Sequence, residues 1–246
     1  MIRAVIFDLD DTLYDYHTLH KEAFKRVQEL VVERLGVSGE QSEEAFRRAR
    51  IATKENLGET AASHSRMLYF QKTLEYLDIR PLYLALDMYE IYWGVFLNKM
   101  TLYPGVDKLM DALHDKYVRV AICTDLLAQI QHRKLRALRL TDDVDCLVTS
   151  EEAGAEKPSP KIFQMCLDKL RLYPKEACFV GDSFEKDVKG AAAAGMRAIW
   201  FNPEKQEPPA GSEDVVFETV ASHEELYALL APTLSLPPIE EKKGEA

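Results

Sequence analysis

The segment Val5-Ile6-Phe7-Asp8-Leu9-Asp10-Asp11-Thr12 decides the fold, because a short apolar run stops there at a group of acids. An apolar run of this length is typical of a parallel strand that is buried on both faces. In open parallel sheets, ligands bind beyond the carboxyl ends of the strands. We therefore predict a strand at 4–8 whose acids lie at a ligand-binding edge.

The chain after this strand is helical up to residue 100. Apolar residues recur close to every 3.6 positions, and no convincing strand interrupts them. The predicted helices cover 17–35, 41–57, 64–78 and 81–98. We predict that 14–100 is a helical cap inserted after the first strand.

Helices and strands alternate from Pro104-Gly105 onward. Predicted helices cover 105–116, 127–138, 159–171, 184–194 and 222–231, and predicted strands cover 118–123, 145–149, 177–181, 197–201 and 214–217. Such alternation implies a parallel sheet with helices on both faces. We predict an α/β fold whose doubly wound, Rossmann-like core comprises 1–13 and 101–231, followed by a disordered tail at 232–246.

The composition argues against several classes of partner. The 246 residues carry a net charge of −10, which repels nucleic acid and anionic membranes. No apolar run approaches the roughly 20 residues that span a bilayer, and the N-terminal run is too short for a signal peptide. The four cysteines are widely spaced, as is typical of free thiols in a reducing compartment. We predict a cytoplasmic protein with neither a nucleic-acid nor a membrane partner.

Acids, hydroxyls and one lysine follow four of the predicted strands. In chain order they are Asp8, Asp10, Thr124, Asp125, Lys157, Asp182 and Asp187. Acids packed this closely need compensation, and Mg²⁺ prefers oxygen ligands of this kind. Lys157 suits a phosphate and a nucleophile better than it balances several carboxylates. The sequence therefore predicts a Mg²⁺ site that receives a phosphoryl group.

Asp8 and Asp10 are two residues apart, so their side chains face the same side of an extended chain, about 6–7 Å apart. A phosphoryl group fits that gap, with one carboxylate attacking phosphorus and the other reaching the leaving oxygen. The attacking group must be ionised and the acid protonated, although free Asp has a pKa of about 3.9. A metal on Asp8 but not on the Asp10 carboxylate would separate the two.

These motifs together resemble the haloacid dehalogenase superfamily. Asp8-Leu9-Asp10-Asp11-Thr12 matches its DxDxT motif, and Thr124 and Lys157 resemble its second and third motifs. Gly181-Asp182-Ser183-Phe184-Glu185-Lys186-Asp187 is similar to the fourth. The motifs occur in the family's order across 5–196, and the insertion resembles the cap that the family places between motifs one and two. The resemblance implies a Mg²⁺-dependent phosphohydrolase.

The resemblance also implies catalytic roles. Asp8 is expected to be the nucleophile and to form an aspartyl-phosphate. Asp10 is expected to act as general acid and then as base for water. Thr124 is expected to hydrogen-bond the phosphoryl oxygens, and Lys157 to hold the nucleophile and the phosphate.

The implied metal residues are Asp8, Asp10, Asp182 and Asp187. Asp8 and Asp182 are expected to ligate Mg²⁺ directly, and Asp10 through its backbone carbonyl. Asp187 is expected to act through water or by orienting Lys157.

Three further residues are candidates for substrate contact. Asp125 departs from the family, where Asn or Gly is common, and an acid there tolerates phosphate only if it turns away. Its backbone N–H can still bind substrate. Tyr14 and His17 lie where the chain leaves the site for the cap, where we expect them to touch substrate or to pack the hinge.

The leading prediction is a phosphatase that acts on a small phosphorylated metabolite, as a monomer or homodimer. A 2-haloacid dehalogenase shares the nucleophile but needs no leaving-group acid, so Asp10 argues against it. A sugar phosphomutase would use the same pair of aspartates. A non-catalytic phospholigand-binding protein gains nothing from an acid beside a nucleophile. The identity of the phosphate ester is not readable from the sequence.

Overall fold

The computed structural model describes residues 1–235, and within that range six strands form one sheet. The strands are β1 (Ala4–Phe7), β2 (Arg119–Thr124), β3 (Cys146–Thr149), β4 (Ala177–Gly181), β5 (Arg197–Phe201) and β6 (Glu218–Val220). Their order is β3-β2-β1-β4-β5-β6, and every pairing is parallel. The predicted doubly wound α/β fold is confirmed.

Within residues 1–235, four α-helices follow β1 before the chain returns to the sheet, and six α-helices accompany the remaining strands. The first four are α1 (Tyr16–Leu35), α2 (Gly39–Leu57), α3 (Arg66–Tyr76) and α4 (Ala85–Asn98). The others are α5 (Val106–Asp115), α6 (Ala128–Ala137), α7 (Ser150–Ala153), α8 (Pro160–Leu170), α9 (Lys189–Ala193) and α10 (His223–Leu234).

The inserted helices pack around aromatic side chains. Tyr92, Trp93 and Phe96 of α4 are buried, and their rings contact one another. Helix α4 also contacts α6, which follows β2, so the two groups of helices meet at this point. The division into a core (1–13 and 101–231) and a cap (14–100) stays our prediction.

The last predicted strand is wrong, because 214–217 lies outside the sheet and β6 is Glu218–Val220. The ring of Phe217 instead packs against Phe184 and Trp200. The chain joins the sheet at Glu218, whose carboxylate bonds Arg197 on the neighbouring strand at 2.5 and 2.8 Å. Val215 and Phe217 therefore pack against the core beside the sheet, whereas Val216 is exposed.

Several helix boundaries also differ from prediction. A 3-10 turn at Pro81–Tyr83 precedes α4, and a π-helical turn at Phe184–Val188 precedes α9. Helix α10 continues through Pro232 to Leu234, although the proline has no backbone N–H to bond the carbonyl four residues earlier. The predicted tail therefore cannot begin at 232, and 236–246 lies outside the described residues.

The structure also bears on membrane-spanning helices and on the state of the cysteines, two features that composition addressed. Across residues 1–235, none of the helices has both the length and the apolar character for a membrane crossing. All four cysteines are free, and three of them, Cys123, Cys166 and Cys178, are buried.

Candidate active site

The central strands β1 and β4 place Asp8 and Asp182 side by side. The backbone N–H of Asp8 donates to the Val180 carbonyl at 2.9 Å, which continues the pairing of β1 with β4 by one residue. Thr12 is completely buried, donates to Asp182 Oδ1 at 3.3 Å and accepts from the Asp182 N–H at 3.1 Å. The loops after the two strands are thereby fastened together.

Lys157 joins the nucleophile candidate to the last acid of the fourth motif. Its ammonium donates to Asp8 Oδ1 and to Asp187 Oδ1, each at 2.6 Å. Burial lowers the pKa of Lys157, but Asp187, Asp8 and Asp125 outweigh burial and hold it well above its usual range. The lysine is therefore charged, and it orients Asp187 as well as Asp8.

Three carboxylates lie close enough to share a cation. Within residues 1–235, oxygens of Asp8, Asp182 and Asp187 lie within 4.8 Å of one another. Burial raises the pKa of Asp8 to about 7, with Lys157 opposing and Asp187 and Asp10 adding to the rise. Burial, then Asp187 and Asp8, raises the pKa of Asp182 to about 8. Since ionised acids at this spacing repel each other, this all-oxygen donor set fits a hard divalent cation such as Mg²⁺.

The carboxylate of Asp10 is held separately from that group. Lys134 donates to both of its oxygens at 2.7 Å, and the Tyr14 hydroxyl donates to Oδ1 at 2.7 Å. Lys134 is completely buried, with its ammonium 5.6–5.8 Å from the centres of four aromatic rings. The rings belong to Tyr14, Tyr16, Trp93 and Phe96.

The sequence reasoning missed Lys134, which lies in a basic stretch beside Arg133. One signal was present: Ile130 and Leu138, one turn before and after it, are apolar and buried. A lysine on the apolar stripe of a helix is unusual, because a buried ammonium needs a partner.

Thr124 and Asp125 follow β2, as predicted. The Thr124 hydroxyl is buried and accepts from Gln131 Nε2 at 2.8 Å. Asp125 accepts from the Lys157 N–H at 3.0 Å and from Lys186 Nζ at 2.8 Å. Lys186 therefore balances the acid that departs from the family pattern. Gln131 and Lys186 were not singled out from the sequence, although Lys186 lies within the fourth motif.

The two candidates at the entrance to the cap differ in position. Tyr14 is completely buried, and its hydroxyl bonds Asp10, so it packs behind the site and does not line the cavity. His17 lines the cavity, with Nδ1 2.5 Å from Asp11 Oδ2. Asp11 Oδ1 also accepts the N–H groups of Tyr16 and His17, which secures the start of α1.

One cavity of about 250 Å³ brings these groups together. Its wall contains Asp8, Asp10, Thr124, Asp125, Lys157, Asp182 and Asp187 from the sheet edge, and Tyr16, His17, His64 and Arg66 from the inserted segment. His64 and Arg66 were not identified from the sequence, because nothing in the local pattern distinguishes them from surface residues.

Known proteins share this sequence and fold. The family model of haloacid dehalogenase-like hydrolases matches residues 2–195. Ribulose-1,5-bisphosphate 5-phosphatase of Halopiger xanaduensis is 38% identical over 219 residues, covering 87% of this chain and 90% of the relative. Glyceraldehyde 3-phosphate phosphatase of Methanothermobacter thermautotrophicus is 31% identical over 207 residues, covering 84% and 88%.

A solved structure agrees with these relatives. The HAD phosphatase from Thermococcus onnurineus superposes with a TM-score of 0.72 at 25% identity, covering 93% of this chain and 98% of that one. The predicted family and enzyme class are confirmed. The chain belongs to the haloacid dehalogenase-like hydrolases, and within them it is an enzyme of the phosphatase type.

Proposed function

We propose that this protein is a Mg²⁺-dependent phosphatase that hydrolyses a small phosphomonoester through an aspartyl-phosphate on Asp8. The observation that carries the proposal is the different environment of two neighbouring aspartates. Asp8 is bonded to Lys157 and grouped with Asp182, whereas Asp10 is held apart by Lys134. Paired carboxylates with different partners are suited to different chemical roles.

The first step transfers the phosphoryl group to the protein. A carboxylate oxygen of Asp8 attacks phosphorus, and the bond from phosphorus to the ester oxygen breaks. That oxygen takes a proton from Asp10 and leaves as the alcohol. The charge of Lys157, 2.6 Å from Asp8, offsets negative charge on the phosphoryl oxygens.

The second step releases phosphate. Asp10, now a carboxylate, takes a proton from water as the water oxygen attacks phosphorus, and the bond to Asp8 breaks. The donors around Asp10 suit this stage, because Lys134 and Tyr14 both donate to its carboxylate at 2.7 Å. Asp10 lies between the buried lysine and the cavity, within reach of a water there.

Mg²⁺, when bound, supplies positive charge that stabilises the transferring phosphoryl group. Asp8, Asp182 and Asp187 would hold it through their side chains, and Asp10 through its backbone carbonyl. Lys157 fixes two of these carboxylates and limits their rearrangement.

The phosphoryl oxygens would be bound at the ends of β2 and β3. Thr124 accepts from Gln131, and the bond that it donates to the Asp125 carbonyl is long, at 3.3 Å. Its hydroxyl hydrogen can therefore turn to a phosphoryl oxygen. The Asp125 N–H and the Lys157 ammonium are the other proposed donors.

The names of the relatives favour a small sugar or triose phosphate as substrate, and a cavity of about 250 Å³ suits a ligand of that size. We propose no nucleic-acid or membrane partner. A cytoplasmic location and a monomeric or homodimeric state stay predictions.

The proposal is tested with a panel of phosphometabolites, with Mg²⁺ and with excess chelator. We expect phosphate release that chelation abolishes. Asp8→Asn should lower turnover by about 10³-fold or more, because an amide is a poor nucleophile. Acid-quenched wild type should carry phosphate on Asp8. Full turnover by Asp8→Asn, or undiminished rates in chelator, would refute the mechanism.

A second variant tests the proton transfer. Asp10→Asn should bind substrate normally but turn over slowly, with the greatest loss for poor leaving groups. Equal losses for good and poor leaving groups would contradict its role as acid.

A sugar phosphomutase is the second candidate, because it uses the same pair of aspartates. Adding a sugar monophosphate during turnover separates the two. A mutase would return the phosphoryl group to the sugar, whereas a phosphatase releases it as inorganic phosphate.

A further inference from the structure

We propose that Arg66 binds a second anionic group of the substrate, a phosphate or a carboxylate, so that the enzyme selects phosphomonoesters that carry two anions. This inference rests on the proposed phosphatase function and names its substrate class. It comes from a buried arginine at the cap side of the cavity.

Arg66 is buried without an acid beside it. Its side chain lies at the first position of α3, and the residue is 8% exposed. Within residues 1–235, no carboxylate oxygen lies within 4.0 Å of its guanidinium, which bonds instead to the His64 carbonyl and the Tyr16 hydroxyl. Its Nε is buried and has no hydrogen-bond partner.

A buried guanidinium in this state is costly. Charged side chains are almost never fully buried unless they are paired, and an unsatisfied buried donor destabilises the protein. The bonds from Arg66 to a carbonyl and a hydroxyl fix its position but do not neutralise its charge. An anion bound in the cavity would supply the missing partner.

The same cavity contains the reacting groups. Arg66, Asp8 and Lys157 all line it, and Tyr16 and His64 contribute to the wall beside Arg66. A small ligand with its phosphoryl group at Asp8 can therefore present its other end to Arg66. This makes Arg66 part of a substrate site and not of a separate surface site.

The surroundings of Arg66 are rich in positive charge. Lys54, one helical turn after Arg50 on α2, has its pKa lowered by burial and then by Arg50 and Lys186, with Glu156 opposing. Arg50, Lys186 and Arg66 all act on Lys54 as like charges, opposed by Glu156. This local group of cations in a chain of net charge −10 favours an anion at the cap side of the cavity.

Glu156 does not serve as the partner of Arg66. Its Oε2 accepts from Lys186 Nζ at 3.3 Å, and its Oε1 lies 3.0 Å from His64 Nε2 but has no hydrogen-bond partner among the described residues. Glu156 thus faces His64 and Lys186 and does not neutralise Arg66.

Arg66 is also held in a fixed orientation. The guanidinium carbon lies 5.3 Å from the centre of the Tyr69 ring and 5.6 Å from that of Tyr92. A planar guanidinium forms paired hydrogen bonds with carboxylate or phosphate oxygens, and a fork that is already oriented loses little entropy on binding. Discrimination between substrates should therefore depend on the planar, forked geometry of the Arg66 guanidinium as well as on its charge.

The test compares two pairs of substrates that differ in the second anion. Ribulose 1,5-bisphosphate is paired with ribulose 5-phosphate, and 3-phosphoglycerate with glycerol 3-phosphate. The readout is the ratio of kcat/KM within each pair, for wild type, Arg66→Met, Arg66→Lys and the control Arg34→Met. Arg34 is an exposed arginine at the end of α1, so its loss removes the same charge elsewhere in the cap.

We expect the wild-type kcat/KM to be at least about tenfold higher for the doubly anionic compound in one pair or in both. A preference within the ribulose pair indicates a phosphate as the second anion, and a preference within the glycerol pair indicates a carboxylate. The ratio should fall about tenfold or more in Arg66→Met, less in Arg66→Lys, and not in Arg34→Met. No preference in wild type, or a ratio that survives in Arg66→Met, would overturn the inference. Arg66→Lys keeps the buried charge and decides the question if Arg66→Met does not fold.

A binding measurement separates this inference from the proposed function. Calorimetry with Asp8→Asn and the same four compounds in Mg²⁺ measures the preference without turnover. Tighter binding of the doubly anionic compounds, lost when Arg66→Met is added, supports the second-anion site even if none of the four is hydrolysed. Equal affinities within both pairs would overturn it, whatever the result of the activity assays.

Discussion

Lys134 places its ammonium 2.7 Å from both carboxylate oxygens of Asp10, although the lysine is completely buried. It reaches Asp10 from α6, and the rings of Trp93 and Phe96 on α4 lie 5.8 and 5.7 Å away. Burial lowers the pKa of Lys134, and Asp10 opposes that effect. The proposed general acid is thus held at the point where a core helix meets the inserted helices.

Replacing Lys134 with methionine should slow turnover and change KM little. Methionine fills the aromatic surroundings but cannot donate to Asp10, so the carboxylate loses two of its three hydrogen bonds of 2.7 Å. We expect kcat to fall by about 10- to 100-fold. This loss is smaller than the loss expected on removing the general acid itself, because Asp10 remains. The loss should be largest for poor leaving groups, as measured by steady-state kinetics on a series of aryl phosphates.

Lys108→Met is the control, because Lys108 is an exposed lysine on α5. A kcat for Lys134→Met within twofold of the control would show that Asp10 does not depend on this contact.

Binding of Mg²⁺ should stabilise the fold. The carboxylates of Asp8, Asp182 and Asp187 repel each other, and a cation bound in the native state shifts the unfolding equilibrium. We expect Tm to rise with Mg²⁺ concentration in wild type and to rise much less in Asp182→Asn. Differential scanning calorimetry would measure both.

The matched control for this experiment is Asp142→Asn, an exposed acid in the loop after α6. An equal shift of Tm in Asp182→Asn and in wild type would remove Asp182 from the metal site.

Adding a methyl group at Gly181 should disturb the site through Asp187. A Cβ there would lie 2.4 Å from Asp187 Cγ, so the carboxylate that bonds Lys157 must move. We expect Gly181→Ala to lower kcat by about tenfold or more and stability by about 1–3 kcal/mol. Kinetics and urea unfolding would measure the two effects.

Gly39→Ala serves as the comparison, because a Cβ at Gly39 meets nothing within 4 Å. Normal activity in Gly181→Ala would mean that the position of Asp187 is not critical for turnover.

His223 should make the protein less stable in mild acid. The residue is 1% exposed, and burial lowers its pKa to about 4, with Glu224 and a bond to the Thr12 backbone opposing. The unfolded chain, with a pKa of about 6.5, binds a proton that the native state excludes. The proton that His223 binds on unfolding therefore leaves the free energy of unfolding unchanged above pH ~6.5. It lowers that free energy as the pH drops toward 4, by about 2 kcal/mol at pH 5.

Free energies of unfolding near pH 7.5 and pH 5 test this for wild type, His223→Gln and the exposed-site control His132→Gln. The drop should be smaller in His223→Gln than in the other two. An identical drop in all three proteins would show that His223 does not titrate in this range.

Local patterns predicted most of the core. The apolar run before Asp8 and the alternation after Pro104-Gly105 indicated a parallel sheet, and the observed order places β1 at its centre. The error at 214–217 shows the limit of such patterns. Val215 and Phe217 pack beside the sheet, and an apolar run looks the same whether it pairs as a strand or packs against rings.

The candidate residues at the ends of the strands were also readable, because parallel strands bring their carboxyl ends to one edge. Asp8, Thr124, Lys157 and Asp182 were found in this way, and all four line one cavity. Their predicted roles await the experiments above.

The sequence by itself determined the acid-rich end of β1 and the order of the motifs that follow it, because periodicity and spacing are local properties of a chain. The tertiary structure alone decided that Lys134 bonds Asp10, 124 positions away, and that Arg66 faces the cavity without an acid. Whether a basic side chain on a helix is solvated or buried depends on which surfaces pack against that helix. Those surfaces come from distant parts of the chain, so a local pattern such as the apolar neighbours of Lys134 can indicate burial but not the partner.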